Sequence, residues 1–122
     1  MPTLRFPPDL ASAQGARRFV ECQLRGESVG EEALFRAQLL ATELVTNAVR
    51  HAHSPVDLTV AHWDDRIRIE ARDDSTARPA PHRVDPPTRH RGLLLMEDLC
   101  EDWGVDVQDH SGKVVWCEVR VA

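Results

Sequence analysis

Three stretches of the chain carry apolar residues at helical spacing, and five shorter ones carry them at alternate positions. Leu4 and Phe6 alternate with polar neighbours ahead of Pro7-Pro8, which predicts a short edge strand. Asp9 or Ser12 can then cap a helix whose apolar stripe runs Leu10, Ala13, Ala16 or Arg17, Val20 and Leu24, with Gly26 just past its end. The second helix has the strongest pattern. Ser28 and Glu31 have the spacing of a capping box, and Leu34, Ala37, Ala41, Leu44, Val45, Ala48 and Ala52 follow on one face. Ser54-Pro55 stops it, because a residue before proline is pushed out of the α region.

Beyond that point the period changes from helical to two. Val56, Leu58, Val60 and His62 alternate with polar residues, as do Ile67, Ile69 and Ala71, and Asp64-Asp65 between them reads as a tight turn. Residues 74–91 carry four prolines and no apolar periodicity, so they read as a long loop, a feature that in compact domains is usually functional or disordered. Gly92 to Asp102 predicts a third helix, with Leu93, Leu94, Met96 or Leu95, Leu99 and Cys100 inward and Gly104 as its C-cap. A last hairpin pairs Trp103 to Val107 with a strand in which Val115, Cys117, Val119 and Val121 alternate with Val114, Trp116, Glu118 and Arg120. The order β-α-α-β-β-loop-α-β-β, dominated by hairpins, predicts an α+β two-layer sandwich: a mostly antiparallel mixed sheet with three helices on one face.

Composition narrows the class. The 122 residues amount to one domain, 1–122, at an apolar fraction of 42% and a charged fraction of 29%, which is ordinary for a globular chain. A net charge of -5 argues against direct binding of nucleic acid, whose footprint would be basic. Three cysteines without CxxC spacing are neither a disulfide framework nor a zinc knuckle, so a reducing cytoplasm is the expected setting. The start holds no apolar run long enough for a signal peptide, and no stretch approaches a membrane span. Neither HExxH nor G-x-S-x-G occurs, which argues against a zinc or serine hydrolase.

Three places could carry chemistry. Glu43, Asn47 and His51 form a polar stripe at i, i+4 and i+8 beside the apolar face of the second helix. An asparagine oxygen suits a hard cation such as Mg²⁺, and a glutamate can serve as a base, while the same spacing also fits a solvated flank. Asp73 stands where the second hairpin strand ends; it could accept a hydrogen bond from a ligand's amino group or belong to an ordinary Asp-Asp-Ser turn. Between Arg78 and Arg91, the arginines Arg78, Arg83, Arg89 and Arg91 against the single acid Asp85 give a local charge of +3, leaving -8 for the rest. A basic loop that runs through Arg91-Gly92 into a helix start fits an anion site, phosphate above all, and fits a solvated basic loop as well.

Taken in order, these segments resemble a known family. Glu43-Leu-Val-Thr-Asn47-Ala-Val-Arg-His51-Ala looks like the N box of the gyrase and histidine-kinase type of ATPase. Asp73-Asp-Ser75-Thr-Ala77 sits where that family has a D-x-G-x-G box, and Arg89-His-Arg-Gly92-Leu-Leu-Leu-Met96 where it has a G-x-G-L box. Within the superfamily the chain looks most like bacterial anti-sigma-factor serine kinases. The resemblance implies ATP and Mg²⁺ as ligands, Glu43 as the catalytic base or water-orienting group, and Asn47 as the metal ligand on the phosphates. It implies that Asp73 accepts from the adenine amino group. It implies further nucleotide contacts from Arg50, His51, Ser75, Ala77, Arg91, Gly92, Leu93 and Val114.

It also implies protein partners, a sigma factor and an anti-anti-sigma-type antagonist phosphorylated on Ser or Thr, and a homodimer through the sheet edge at residues 3–6. The sequence departs from the boxes at four places. Ser75, Ala77 and His90 replace glycines, and Val114 replaces a threonine whose hydroxyl helps to hold adenine. Side chains where a backbone must approach a ligand take up space or add strain. Two functions therefore remain: an ATP-dependent protein serine/threonine kinase, or a degenerate nucleotide-binding domain that acts only as a protein-interaction regulator.

Overall fold

The computed structural model describes residues 2–52, 54–74, 98–108 and 112–121. In chain order the elements are β1 (Thr3–Phe6), α1 (Ser12–Leu24), α2 (Glu31–Ala52), β2 (Val56–Trp63), β3 (Arg66–Asp73), β4 (Asp102–Gln108) and β5 (Gly112–Arg120). The five strands form one sheet in the order β1-β2-β3-β5-β4. The expected α+β architecture is present. The expected mostly antiparallel sheet is present as well: all four ladders among the described residues are antiparallel.

Period-two alternation sets which residues enter the core. Val56, Leu58 and Val60 on β2, Ile67, Ile69 and Ala71 on β3, and Val115, Cys117 and Val119 on β5 are buried on one face. Both helices cover that face. The longer helix, α2, lies against β2, β3 and β5, and α1 lies against α2, β1 and β2. Ala37, Leu40, Ala41, Leu44, Val45 and Ala48 supply the buried stripe of α2, and Ala16, Val20 and Leu24 that of α1. Each large side chain buried here stabilises the fold by about 1.5–3 kcal/mol. The opposite face of the sheet is polar: Arg68 stacks 4.3 Å from the Trp116 ring centroid and bonds to Glu70 and Glu118.

Several boundaries differ from the sequence expectation. Helix α1 begins at Ser12 with Ala11 in the cap position and no side-chain cap. Asp9 and Ser12 work one step earlier: Asp9 Oδ1 accepts from the Ala11 N–H, and Ser12 Oγ donates to the Pro7 carbonyl. Leu10 therefore sits in the turn ahead of the helix and is exposed, and Ser12 takes the buried position one turn before Ala16. Helix α2 begins at Glu31 rather than at the expected Ser28 cap, with the Leu34 N–H donating to the Gly30 carbonyl.

The third helix, expected over Gly92 to Asp102, lies largely outside the described residues; Asp98 and Leu99 are helical and Asp102 already belongs to β4. Gly104 is not a C-cap. It lies inside β4 opposite Trp116, and a Cβ there would come within 2.8 Å of the indole. The ring fills the space that a side chain would need.

Candidate functional site

The polar stripe on α2 takes the form its spacing suggests. Leu40, Ala41, Leu44, Val45, Ala48 and Val49 are buried, while Glu43 and Asn47, one turn apart, are half-buried on the flank. Arg50 and His51, in the last turn, are exposed. Just past the helix end, Ser54 Oγ accepts from the Asp74 N–H at 3.1 Å. That bond ties the end of α2 to the exit of β3. Asn47, seven residues before Ser54, stands about 10 Å back along the helix axis.

Asp73 is the last residue of β3. Alternation puts it on the same face as Ile67, Ile69 and Ala71, and it is 2% exposed. Its partner is Lys113, the residue directly opposite on β5. Lys113 Nζ lies 3.0 Å from Asp73 Oδ1 and 2.9 Å from Oδ2, and Lys113 is only 4% exposed. Desolvation of two charges is tolerable only where pairing is close on both sides, as here. The preceding residue, Gly112, has φ +94, and any Cβ on it would collide with the Asp73 backbone. A glycine at that position lets β5 start hard against the end of β3.

Val114, the expected adenine-side position, pairs with Arg72 and Asp106 and so lies on the sheet face opposite Asp73. Ser75, Ala77, Arg91, Gly92 and Leu93, together with the basic loop, lie outside the described residues. The sequence reading did not single out Lys113. One signal for it was present: the buried series Val115, Cys117, Val119, extended back by two residues, falls on Lys113.

Glu43, Asn47 and the Asp73–Lys113 pair offer oxygen donors and charge. Among the described residues, no three His, Cys, Asp or Glu side chains are grouped to hold a metal ion. Burial pushes the Cys100 thiol up to about 11 and raises the Cys117 thiol as well, which leaves neither as a thiolate nucleophile or ligand. The Asn47 carboxamide next to Glu43 suits a Mg²⁺ ion whose remaining ligands come from phosphates and water. The donor set thus fits a metal–phosphate group at the α2 end. At the β3 end, the Asp73 carboxylate is already paired with the Lys113 ammonium.

In structure the chain is similar to the RsbU and RsbW domains of Rv1364c from Mycobacterium tuberculosis, with a TM-score of 0.69 and 17% identity over 99% of this chain and 33% of that one. It is also similar to the histidine kinase domain of the blue-light activated histidine kinase from Erythrobacter litoralis EL346, with a TM-score of 0.60 and 19% identity over 95% of this chain and 62% of that one. It therefore spans about a third of the first chain and less than two thirds of the second, and at these identities the likeness is one of fold. No curated protein matches. Among the described residues no helix is long and apolar enough to cross a membrane. The sequence profile of the histidine kinase-like ATPase domain matches residues 6–118, a span that includes the Glu43–Asn47 stripe and the Asp73–Lys113 pair; this chain belongs to that family.

Proposed function

We propose that this chain is a cytoplasmic, ATP-binding regulatory domain of the anti-sigma kinase type. In this reading it phosphorylates a Ser or Thr of an anti-anti-sigma-type antagonist and sequesters a sigma factor. The observation that carries the reading is the Glu43–Asn47 pair, half-buried on one flank of α2, with the end of that helix tied to the exit of β3. Likeness to a structure containing an RsbW domain supports the choice of partners.

Asn47 would hold the Mg²⁺, and that ion, when bound, offsets the negative charge of the phosphates. Glu43 would take the proton from the antagonist's hydroxyl as its oxygen attacks the γ-phosphorus and the ADP oxygen leaves with the bonding electrons. Arg50 and His51, in the last turn of α2, and Ser75, Ala77, Arg91, Gly92 and Leu93 would line the nucleotide. Phosphoryl transfer depends mainly on such positioning and charge, and little protein covalent chemistry is required. Asp73 would face the base. Val114, on the other sheet face, fits that lining less well than its neighbour Lys113.

The test is transfer of labelled phosphate from ATP to an anti-anti-sigma-type protein. Glu43→Ala should lower the rate by about 10²-fold or more, the usual scale for a general base. Equal transfer by the variant would remove Glu43 from the role. A second reading, a nucleotide-independent interaction domain, is favoured by one observation: Asp73 is already held by Lys113. An absence of any binding of Mg²⁺ and ATP to the folded protein would select it.

A further inference from the structure

We propose that Lys113 is a built-in competitor for the base subsite: its ammonium holds Asp73, so that this domain binds a purine nucleotide through the phosphates without reading the 6-amino group. This inference rests on the nucleotide-binding reading above and assigns a specificity role to a residue outside the recognised boxes.

The geometry behind it is the directly opposed pair Asp73 and Lys113. Both carboxylate oxygens are engaged by Nζ, at 3.0 and 2.9 Å, and the two side chains are 1% and 4% exposed. A base amino group is a neutral donor, whereas Nζ is a charged one, and charge-assisted hydrogen bonds are roughly twice as strong as neutral ones. Exchanging one for the other would also leave an ammonium buried without its counter-charge, a state strongly disfavoured in a low-dielectric site. Register reinforces the pair, because Lys113 starts directly beside Asp73 and Gly112 fixes the approach of the two backbones. A 6-amino group therefore meets a carboxylate whose two oxygens are both already engaged by a charged donor. Affinity then comes from the metal and phosphate end, and bases that differ only at position 6 become nearly equivalent.

Calorimetry with Mg²⁺ on the unaltered protein compares ATP with purine riboside triphosphate, which lacks the 6-amino group. The two should bind within about two-fold of each other, since hydrogen-bond readout worth a tenfold ratio is absent. An ATP preference of tenfold or more would overturn the proposal. In a second arm, Lys113→Thr, checked for cooperative melting, should gain about tenfold for ATP with little gain for the des-amino analogue, a change that corresponds to one restored hydrogen bond. A folded Lys113→Thr protein with the same ATP to analogue ratio as the parent would also overturn it. Equal binding of both nucleotides by the parent, with the ratio opening in the variant, supports it. If neither protein binds any nucleotide at millimolar concentration, the nucleotide-binding reading itself fails. That outcome is separate from one in which ATP binds but is already discriminated.

Discussion

Two cross-strand ion pairs on the same sheet show how much position decides. Arg5 and Asp57 face each other across β1 and β2, with Arg5 Nε 2.8 Å from Asp57 Oδ1, on the polar face. Asp73 and Lys113 face each other across β3 and β5 at nearly the same distance, on the face that the helices cover. The side chains of the first pair are 70% and 26% exposed, those of the second 1% and 4%. In the first, water screens both charges and would satisfy either alone. In the second, each charge depends on the other, and removal of one leaves an uncompensated ion on the face that the helices cover.

That contrast is broken most strongly at Lys113. Lys113→Met should destabilise the fold by about 3–5 kcal/mol, the scale for an orphaned buried charge. The double change Lys113→Met with Asp73→Asn should recover a large part of the loss in denaturant melts. Equal losses in single and double variants would show that stem packing, rather than charge, sets the effect. Next in size is Gly104→Ala, on the polar face. Its new methyl would push on the Trp116 ring and on the Arg68 stack above it, at about 1–3 kcal/mol for an overpacked site. Trp116 fluorescence should shift in the same variant.

The smallest effect belongs to Arg5→Ala, which should leave the melting temperature within a degree or two of the parent in 0.15 M salt. Its signature lies in pH. The hydrogen bond from Arg5 holds the Asp57 carboxyl below its ordinary value of 3.8. A lowered native pKa means stability that is fully present above about pH 4 and is lost as the pH falls through the lowered value. The parent and Arg5→Ala melting curves should therefore converge in acid and differ, slightly, above pH 4. A gap that widens in acid would reverse the assigned sign.

Much of this arrangement could be read from the sequence because two periodicities do most of the sorting. Val56, Leu58 and Val60 point inward for the same reason that Ile67 and Ile69 do, and the i, i+4 spacing of Glu43 and Asn47 puts them on one helix flank. What the pattern left obscure was polar residues in apolar positions. Lys113, next to a glycine at a strand start, reads as a solvated charge unless the alternation of β5 is carried back through it. Val114 attracted attention instead because it replaces a threonine of the family pattern. Gly104 reads as a helix stop, since a glycine after an apolar run has that meaning in most contexts. Here the size of Trp116, a cross-strand neighbour known only once register is known, decides it. Ser28 and Glu31 had the spacing of a cap, yet the chain turns into α2 only at Glu31.

The strand order also bears on how the molecule assembles. Because β5 lies between β3 and β4, the ladder between β3 and β5 closes a loop whose last rung joins residues 40 apart in sequence, Asp73 and Lys113. In the unfolded chain, closing a loop of that length carries an entropy cost on the order of 3 kcal/mol. The hairpin of β2 and β3 has only Asp64-Asp65 to close and can form early. The β3–β5 ladder is therefore expected to zip late, and the buried ion pair at its end acts as a clasp on everything strung between. Anything that binds only the folded chain would hold the clasp shut, and would register as slower unfolding.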